Sequence, residues 1–261
     1  PGGLDLYLSK HDPNGNCLWS LIDGGPGGDE VAYGLATDAA GNVYAAGSYS
    51  ATATFGSAII VPSGMEDLFV VKYDAGGTFQ WLAHAGGPFG DEARAVAVDT
   101  AGNVYACGSF KTTATFGAIT IGSVGNRDLF LAKLSPAGVW LWARRAGGAG
   151  GEEARGVAVD EAGDIHLTGW CSSSPTDFGP FLVNPANADL FVAKYDGTGQ
   201  CLWVRIGGGN STDQGQAIAV DQAGNSYTTG WISGDTAFFD GVPVVTNGPF
   251  EDVVLASYDP S

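Results

Sequence analysis

An all-β fold is what this sequence predicts, and three observations predict it. Glycine supplies 42 of the 261 residues, more than twice its usual share of about 7%, with no collagen-like period. Between the glycines lie short runs of β-branched, aromatic and small apolar residues, bounded by Asp, Asn and Gly turns, which is how short strands read. No segment sustains a 3.6-residue apolar period, and glycine recurs too often for helix. With 44% hydrophobic residues, the chain has enough apolar material for a packed core.

The runs are ordered by an internal repeat. The turn motif D-x-A-G begins at Asp38, Asp99, Asp160 and Asp221, at intervals of 61 residues. A strand typified by DLF begins at Asp5, Asp67, Asp128, Asp189 and Asp252, and a tryptophan follows at Trp19, Trp81, Trp142 and Trp203. Each period reads as four strands. In the best-formed copy these are A, ARAVAVD (93–99), and B, NVYACGSF (103–110), across a short turn; then C, DLFLAKL (128–134), after a longer connection, and D, VWLWARRAGG (139–148). Strand A is small and apolar, as the crowded inner position of a blade requires. Strand D is bulky and charged, as an outer strand can be. Short strands in fours at this spacing predict a β-propeller; the runner-up is a β-solenoid, whose coils are usually shorter.

We therefore expect one domain over residues 1–261, with periods of about 5–66, 67–127, 128–188 and 189–251 and a partial copy at 252–261. The chain begins and ends on the same C-strand element. Four periods leave a surplus of about one C strand and its turn. The expectation is a ring of about four blades closed by mixed termini. The N-terminal D strand with Trp19 would complete the last blade. The copies at Asp5, Leu6 and Leu8 and at Asp252 and Leu255 would compete for one C-strand slot. The displaced strand would be loose or donated to a neighbour, since an open edge can pair with another chain. The alternative is an open or partial propeller cut from a longer array. Pro1 opens the chain without Met or signal peptide, which reads as a processed or trimmed piece.

The repeat carries a resemblance. EARAVAVDTAGNVYACGSFKTTATFG, followed by RDLFLAKLSPAGVWLWARRAGG, is similar to the bacterial SBBP-type beta-propeller repeat, and the likeness runs through essentially the whole chain in four copies. The resemblance implies a secreted or cell-surface bacterial protein without a known catalytic activity, and it brings no catalytic residues to transfer.

Composition narrows the partners. A net charge of −17 disfavours duplex nucleic acid, whose counterions must be replaced by cations, and anionic membrane surfaces for the same reason. No run of about 20 apolar residues offers a bilayer span. Basic proteins and neutral sugars fit this balance as protein or glycan ligands, as does a cation such as Ca²⁺.

Strands running up and down put the D–A and B–C connections on one face and the A–B and C–D turns on the other. The tight turns need their Asp, Asn and Gly for turn geometry, and they lack the EF-hand order of ligands. On the richer face, the D–A connections carry Asp29, Asp91, Glu152 and Asp213, one acidic corner per blade. These make either a ring able to hold Ca²⁺ or a solvated rim capping nearby N–H groups. After the B strands come Tyr49, Phe110, Trp170 and Trp231. Their flat faces either bind sugar rings or pack between blades. The B–C connections, about 20 residues long, each suggest an extra hairpin, with Phe55, Phe116, Phe178 and Phe239 as local core.

Catalysis is not what the sequence suggests. His11, His84 and His166 occupy three different places, and no nucleophile-elbow, zincin or P-loop pattern occurs. Acid pairs recur blade after blade, which points to fold or to a symmetric site; a carboxylate-pair glycosidase stays open as an alternative. Lys10, Lys72, Lys133 and Lys194 recur on the C strands and read as a structural ladder to recurring aspartates. Cys17, Cys107, Cys171 and Cys201 make no CxxC pattern, and free thiols are the expectation. The functional expectation is a non-enzymatic extracellular or cell-surface binding or adhesion propeller, using the face of the B–C and D–A loops. The alternatives are a structural subunit assembling through its surplus strand and a glycan-active enzyme.

Overall fold

The computed structural model describes residues 2–234, 236–246 and 251–259. The chain begins with a hairpin, β1 (Leu6–His11) and β2 (Cys17–Asp23). Next come β3 (Glu30–Thr37), β4 (Val43–Tyr49), the short hairpin β5 (Ala53–Phe55) and β6 (Ala58–Ile60), β7 (Asp67–Tyr73) and β8 (Phe79–Ala85). The same six elements recur as β9 (Glu92–Val98), β10 (Val104–Phe110), β11 (Thr113–Phe116), β12 (Ile119–Gly122), β13 (Asp128–Leu134) and β14 (Trp140–Ala146). They recur again as β15 (Glu152–Val159), β16 (Ile165–Cys171), β17 (Thr176–Asp177), β18 (Leu182–Val183), β19 (Asp189–Tyr195) and β20 (Cys201–Gly209). The described chain finishes with β21 (Gln214–Val220), β22 (Ser226–Ile232), β23 (Thr236–Phe239), β24 (Val242–Val245) and β25 (Asp252–Tyr258).

These make three complete antiparallel blades, β3-β4-β7-β8, β9-β10-β13-β14 and β15-β16-β19-β20, in the strand order A to D. The copies flanking them are partial: β1-β2 is a C–D pair, and β21-β22-β25 is an A–B–C sheet. No helix among the described residues is long and apolar enough to cross a membrane.

The blades pack face to face because the B and C strands are apolar on both sides. Every residue of β4 and β10 is buried. Alternate residues of one strand then feed two different cores. Val104, Ala106 and Phe110 pack with Tyr44, Leu68 and Val70 of the preceding blade. Tyr105, Cys107, Leu129 and Leu131 pack with Leu167, Cys171, Phe191 and Tyr195 of the following one. A sheet buried on both faces reads as a continuous apolar run, which is the pattern of ACGSF and DLFLA.

The inserted hairpins fasten one blade to its predecessor. Gly24 bridges Thr54, Gly86 bridges Thr115 and Gly147 bridges Asp177. In the last copy the bridge grows into a ladder, Gly207 to Phe239 through Gly209 to Ala237. Phe55, Phe116 and Phe178 sit under these hairpins against Phe69, Phe130 and Phe191, with ring centroids 4.7, 5.2 and 5.2 Å apart. Phe239 is buried as well.

Three of the D-strand tryptophans each join their blade to the next. The indole N–H groups of Trp19, Trp81 and Trp142 donate to the carbonyls of Ala75, Pro136 and Gly197, at 3.0, 3.0 and 3.3 Å. All three acceptors lie in the C–D turn of the following blade.

The expected closure is corrected by these contacts. Trp19 does not complete the last blade; it docks on the C–D turn of the first complete one. Leu6 and Leu8 are buried against Val43, Tyr49 and Phe69 of that same blade. The Asp5 copy therefore stands before β3. The Asp252 copy fills the C position beside β22, pairing Asp252 with Ile232 and Leu255 with Thr229. No ladder among the described residues joins β1-β2 to β21-β22-β25. Each C strand follows its own B strand because the interblade cores are built from consecutive copies. The described blades form an open arc, the alternative to the ring.

The lysine ladder has a different form from the one expected. Tyr44 donates to Asp38 at 2.9 Å with Lys72 over its ring, and Tyr105 donates to Asp99 at 3.1 Å with Lys133 over its ring. Lys10 and Lys133 donate to the turn carbonyls of Ala75 and Gly197, while Lys194 pairs with Asp160 and Asp164. His166 takes the tyrosine's place, 3.1 Å from Asp160. The four cysteines are free thiols, with Cys17 exposed and the others buried.

Candidate functional site

The inner A strands β3, β9, β15 and β21 share one irregularity. Pairing with the B strand skips a residue between Ala32 and Gly34, opposite Cys107 and Gly108, between Ala154 and Gly156, and between Gly215 and Ala217. The skipped residues are Tyr33, Arg94, Arg155 and Gln216. A bulge of this kind re-aims a side chain away from the regular alternation. The partner strand permits it by carrying glycine: a Cβ on Gly108 would lie 1.9 Å from the Glu92 carbonyl oxygen, and Gly47, Gly169 and Gly230 meet the same obstacle at 1.9 Å. The glycine of ACGSF is thus required by the close approach of strand A.

The bulged residues line an open groove at the axis of about 280 Å³, together with Gly34, Ala95, Gly156 and Ala217 and the apolar floor of Leu35, Val96, Val157 and Ile218. Above them lies a charged cluster. The buried Glu153 carboxylate receives three guanidinium groups: Arg94 Nε at 2.9 Å, Arg127 Nη1 at 3.2 Å and Arg155 Nε at 3.3 Å. Glu92 pairs with Arg94 and, at 3.8 Å, with Arg127. Arg155 also donates to Gln214 Oε1 at 2.5 Å. Arg94 stacks 4.4 Å from the Tyr33 ring centroid, and Tyr33 remains 44% exposed. Half of the chain's arginines gather here in a protein of net charge −17.

The expected acidic ring is arranged otherwise. The residues one period apart are Glu30, Asp91, Glu152 and Asp213; Asp29 is out of step with them and lies on the surface, accepting the Leu4 N–H at 2.8 Å. The four in-step carboxylates are buried and turned to backbone rather than to the axis. Asp91 accepts the N–H groups of Gly87 and Lys111 at 2.7 and 3.0 Å. Glu152 accepts those of Gly148 and Ser173 at 3.0 and 2.9 Å. Asp213 accepts those of Gly209 and Ser233, both at 2.9 Å, and Glu30 accepts that of Gly25 at 3.0 Å. Each ties the D–A loop in place, and three of them also hold the end of strand B. Burial pushes all four carboxyl groups up, Asp91 to about 7.

A second buried carboxylate belongs to each junction: Asp67, Asp128 and Asp189, whose Oδ1 atoms are buried without a hydrogen-bond partner. Gly208 shows how close the pair comes. A Cβ there would lie 2.6 Å from Asp213 Oδ2 and 2.7 Å from Asp189 Oδ1, so the two carboxyl groups converge on the space that a side chain at this position would fill. Arg145 Nη1 neutralises Asp128 at 2.8 Å. Its counterpart one blade later is Ile206. Burial, then, with the nearby Asp213 charge as a further cause, raises Asp189 to about 6.

The aromatic set is also corrected. Tyr49 and Phe110 are fully buried between blades. Their counterparts one and two blades on are Cys171 and Ile232, in the positions opposite Asp189 and Asp252. Trp170 and Trp231 stand one residue earlier, on the other face, where they pair across the ladder with Glu153 and Gln214. The structure thus brings these two tryptophans, both half-buried, beside the axial cluster and leaves Tyr49 and Phe110 away from it. Tyr33, Arg94, Arg155 and Gln216 escaped the sequence reading because only the two arginines share a type. The signal that could have found them is the B-strand glycine at the same interval.

Blades of this order and period define a protein built of propeller repeats. The model of the SBBP beta-propeller repeat family matches residues 203–235, about half of one 61-residue period. It is 31% identical, over 186 residues and 62% of its length, to an uncharacterized WD repeat-containing protein of Acanthamoeba polyphaga mimivirus, of which the match spans 13%. Among solved structures, a protein of unknown function from Bacteroides caccae aligns over 96% of this chain and 73% of its own, with a TM-score of 0.44 and 11% identity.

Proposed function

We propose that this chain is a non-catalytic binding domain whose ligand seats in the axial groove. One observation carries the reading: four positions related by the repeat hold three kinds of side chain, a tyrosine (Tyr33), two arginines (Arg94 and Arg155) and a glutamine (Gln216), all lining that groove. Elsewhere the repeat keeps its residues because the fold needs them, as with the buried junction carboxylates. Symmetric positions that diverge at an open mouth are free of that demand and suit recognition. Glu92 and Glu153 are engaged by arginines, which favours a fixed binding surface over proton transfer. Presentation outside a cell belongs to this proposal and rests on the family resemblance.

The test is a glycan and peptide array probed with the wild-type chain and with Tyr33→Ala, an exposed position whose loss leaves the cores intact. Specific binding that Tyr33→Ala weakens supports the reading. Release of reducing ends from any bound glycan would overturn the non-catalytic part, and binding indifferent to Tyr33 would move the seat elsewhere.

A further inference from the structure

The charges around Glu153 do not balance. Arg94, Arg127 and Arg155 bring three fixed positive charges; Glu153 and Glu92 bring two negative ones, and burial pushes Asp91, the further carboxyl that Arg127 acts on, toward its neutral form. Their guanidinium side chains keep about a quarter of their surface, at 26, 25 and 25%. A guanidinium offers five N–H donors in a planar fork, and the cluster engages only part of them. The surplus of one positive charge opens onto the groove through Arg94 and Arg155, which line it. One further carboxylate would restore neutrality and match the fork. A doubly charged phosphate would overshoot it beside two existing carboxylates.

The rest of the groove says what carries that carboxylate. Its volume of about 280 Å³ lies near the bottom of the range for ligand pockets, roughly 300–1,000 Å³, and so suits a single residue of a longer chain. Its walls offer the exposed Tyr33 ring and the Gln216 amide. Gln214 and the half-buried Trp170 and Trp231 lie beside the cluster. Aromatic faces with amide edges suit a ring that has C–H faces and hydroxyl edges. We propose that the axial groove binds an acidic sugar residue, its carboxylate held by Arg94 and Arg155 and its ring against Tyr33. This rests on the reading of the chain as a binding domain and adds the chemistry of the ligand.

The experiment is calorimetric titration of the whole chain with three acidic trisaccharides, ending in galacturonate, glucuronate or sialic acid, and with their methyl esters. Gln216→Glu is the variant, because Gln216 is exposed and outside the arginine pairs, so its exchange adds a negative charge and gives up only the 3.5 Å donation to Gln214 Oε1. We expect at least one acid to bind, its ester to bind at least about tenfold more weakly, and Gln216→Glu to lose about tenfold or more. Equal binding of acid and ester, indifference to Gln216→Glu, or tighter binding of a Glu-containing tripeptide than of any acid would each overturn the proposal. Neutral glycans binding while all three acids fail would sink it too, yet leave the binding-domain reading standing. An array with no glycan or peptide bound would remove both.

Discussion

Asp189→Asn should stabilise the protein at neutral pH, although it alters a buried position of the repeat. Asp189 Oδ2 accepts the Ala186 N–H at 2.9 Å, whereas Oδ1 is buried with no partner and faces Asp213. An asparagine keeps the first contact through its carbonyl and turns an N–H toward the Asp213 carboxylate. The folded-state pKa of Asp189 is raised from 3.8 to about 6. For an acid shifted upward, the folded state binds the proton more tightly than the unfolded state. Stability is then greatest below about pH 4 and falls as pH rises through about 6. A shift of about two units corresponds to about 3 kcal/mol once the group is ionised. Urea denaturation at pH 4.5, 6 and 8 reads this directly. The variant should match wild type within about 1 kcal/mol at the lowest pH and exceed it by about 2–3 kcal/mol at the highest. An advantage that does not grow with pH, or a variant less stable than wild type at pH 8, would refute the account of the junction.

Other outcomes follow from the same geometry. Arg145→Met removes the partner that neutralises Asp128 at 2.8 Å and should cost about 3 kcal/mol at pH 7, with much of the loss recovered by a second change, Asp128→Asn, in the same denaturation assay. Gly108→Ala puts a Cβ 1.9 Å from the Glu92 carbonyl; straightening or displacing strand A should lower stability by about 3 kcal/mol or more in thermal melts. Cys17 is exposed, while burial pushes Cys107 and Cys171 up and Cys201 to about 12. A thiol reagent at pH 8 should therefore titrate one thiol in the native protein and four in denaturant.

The strands were legible because their cores repeat. DLFLAKL and NVYACGSF are apolar on both faces, and both form strands within a residue of where they were read. The extra hairpins were legible from the recurring Phe55, Phe116, Phe178 and Phe239. What misled was alignment by residue type instead of by interval. Asp29 resembles Asp91 because each precedes a glutamate, yet Glu30 holds the equivalent place and makes the equivalent backbone contact to Gly25. Trp170 and Trp231 resemble Tyr49 and Phe110 as aromatics, yet a one-residue offset in a strand reverses the face. The axial site was hidden for a further reason. A bulge is a local excess of one residue, and periodicity is blind to it unless the partner strand's glycine is read at the same time.

The first three hairpins that reach back to a preceding D strand make their joints from the same parts: a glycine at the end of one outer strand, a threonine or aspartate on the next copy's hairpin, and an indole set on the next turn. Since these three joints share their parts, a whole unit duplicated or lost between two of them leaves a matching surface behind. The length of the arc is thus a quantity that recombination can change in single steps, while the side chains at the bulges stay free to diverge after each copy is made.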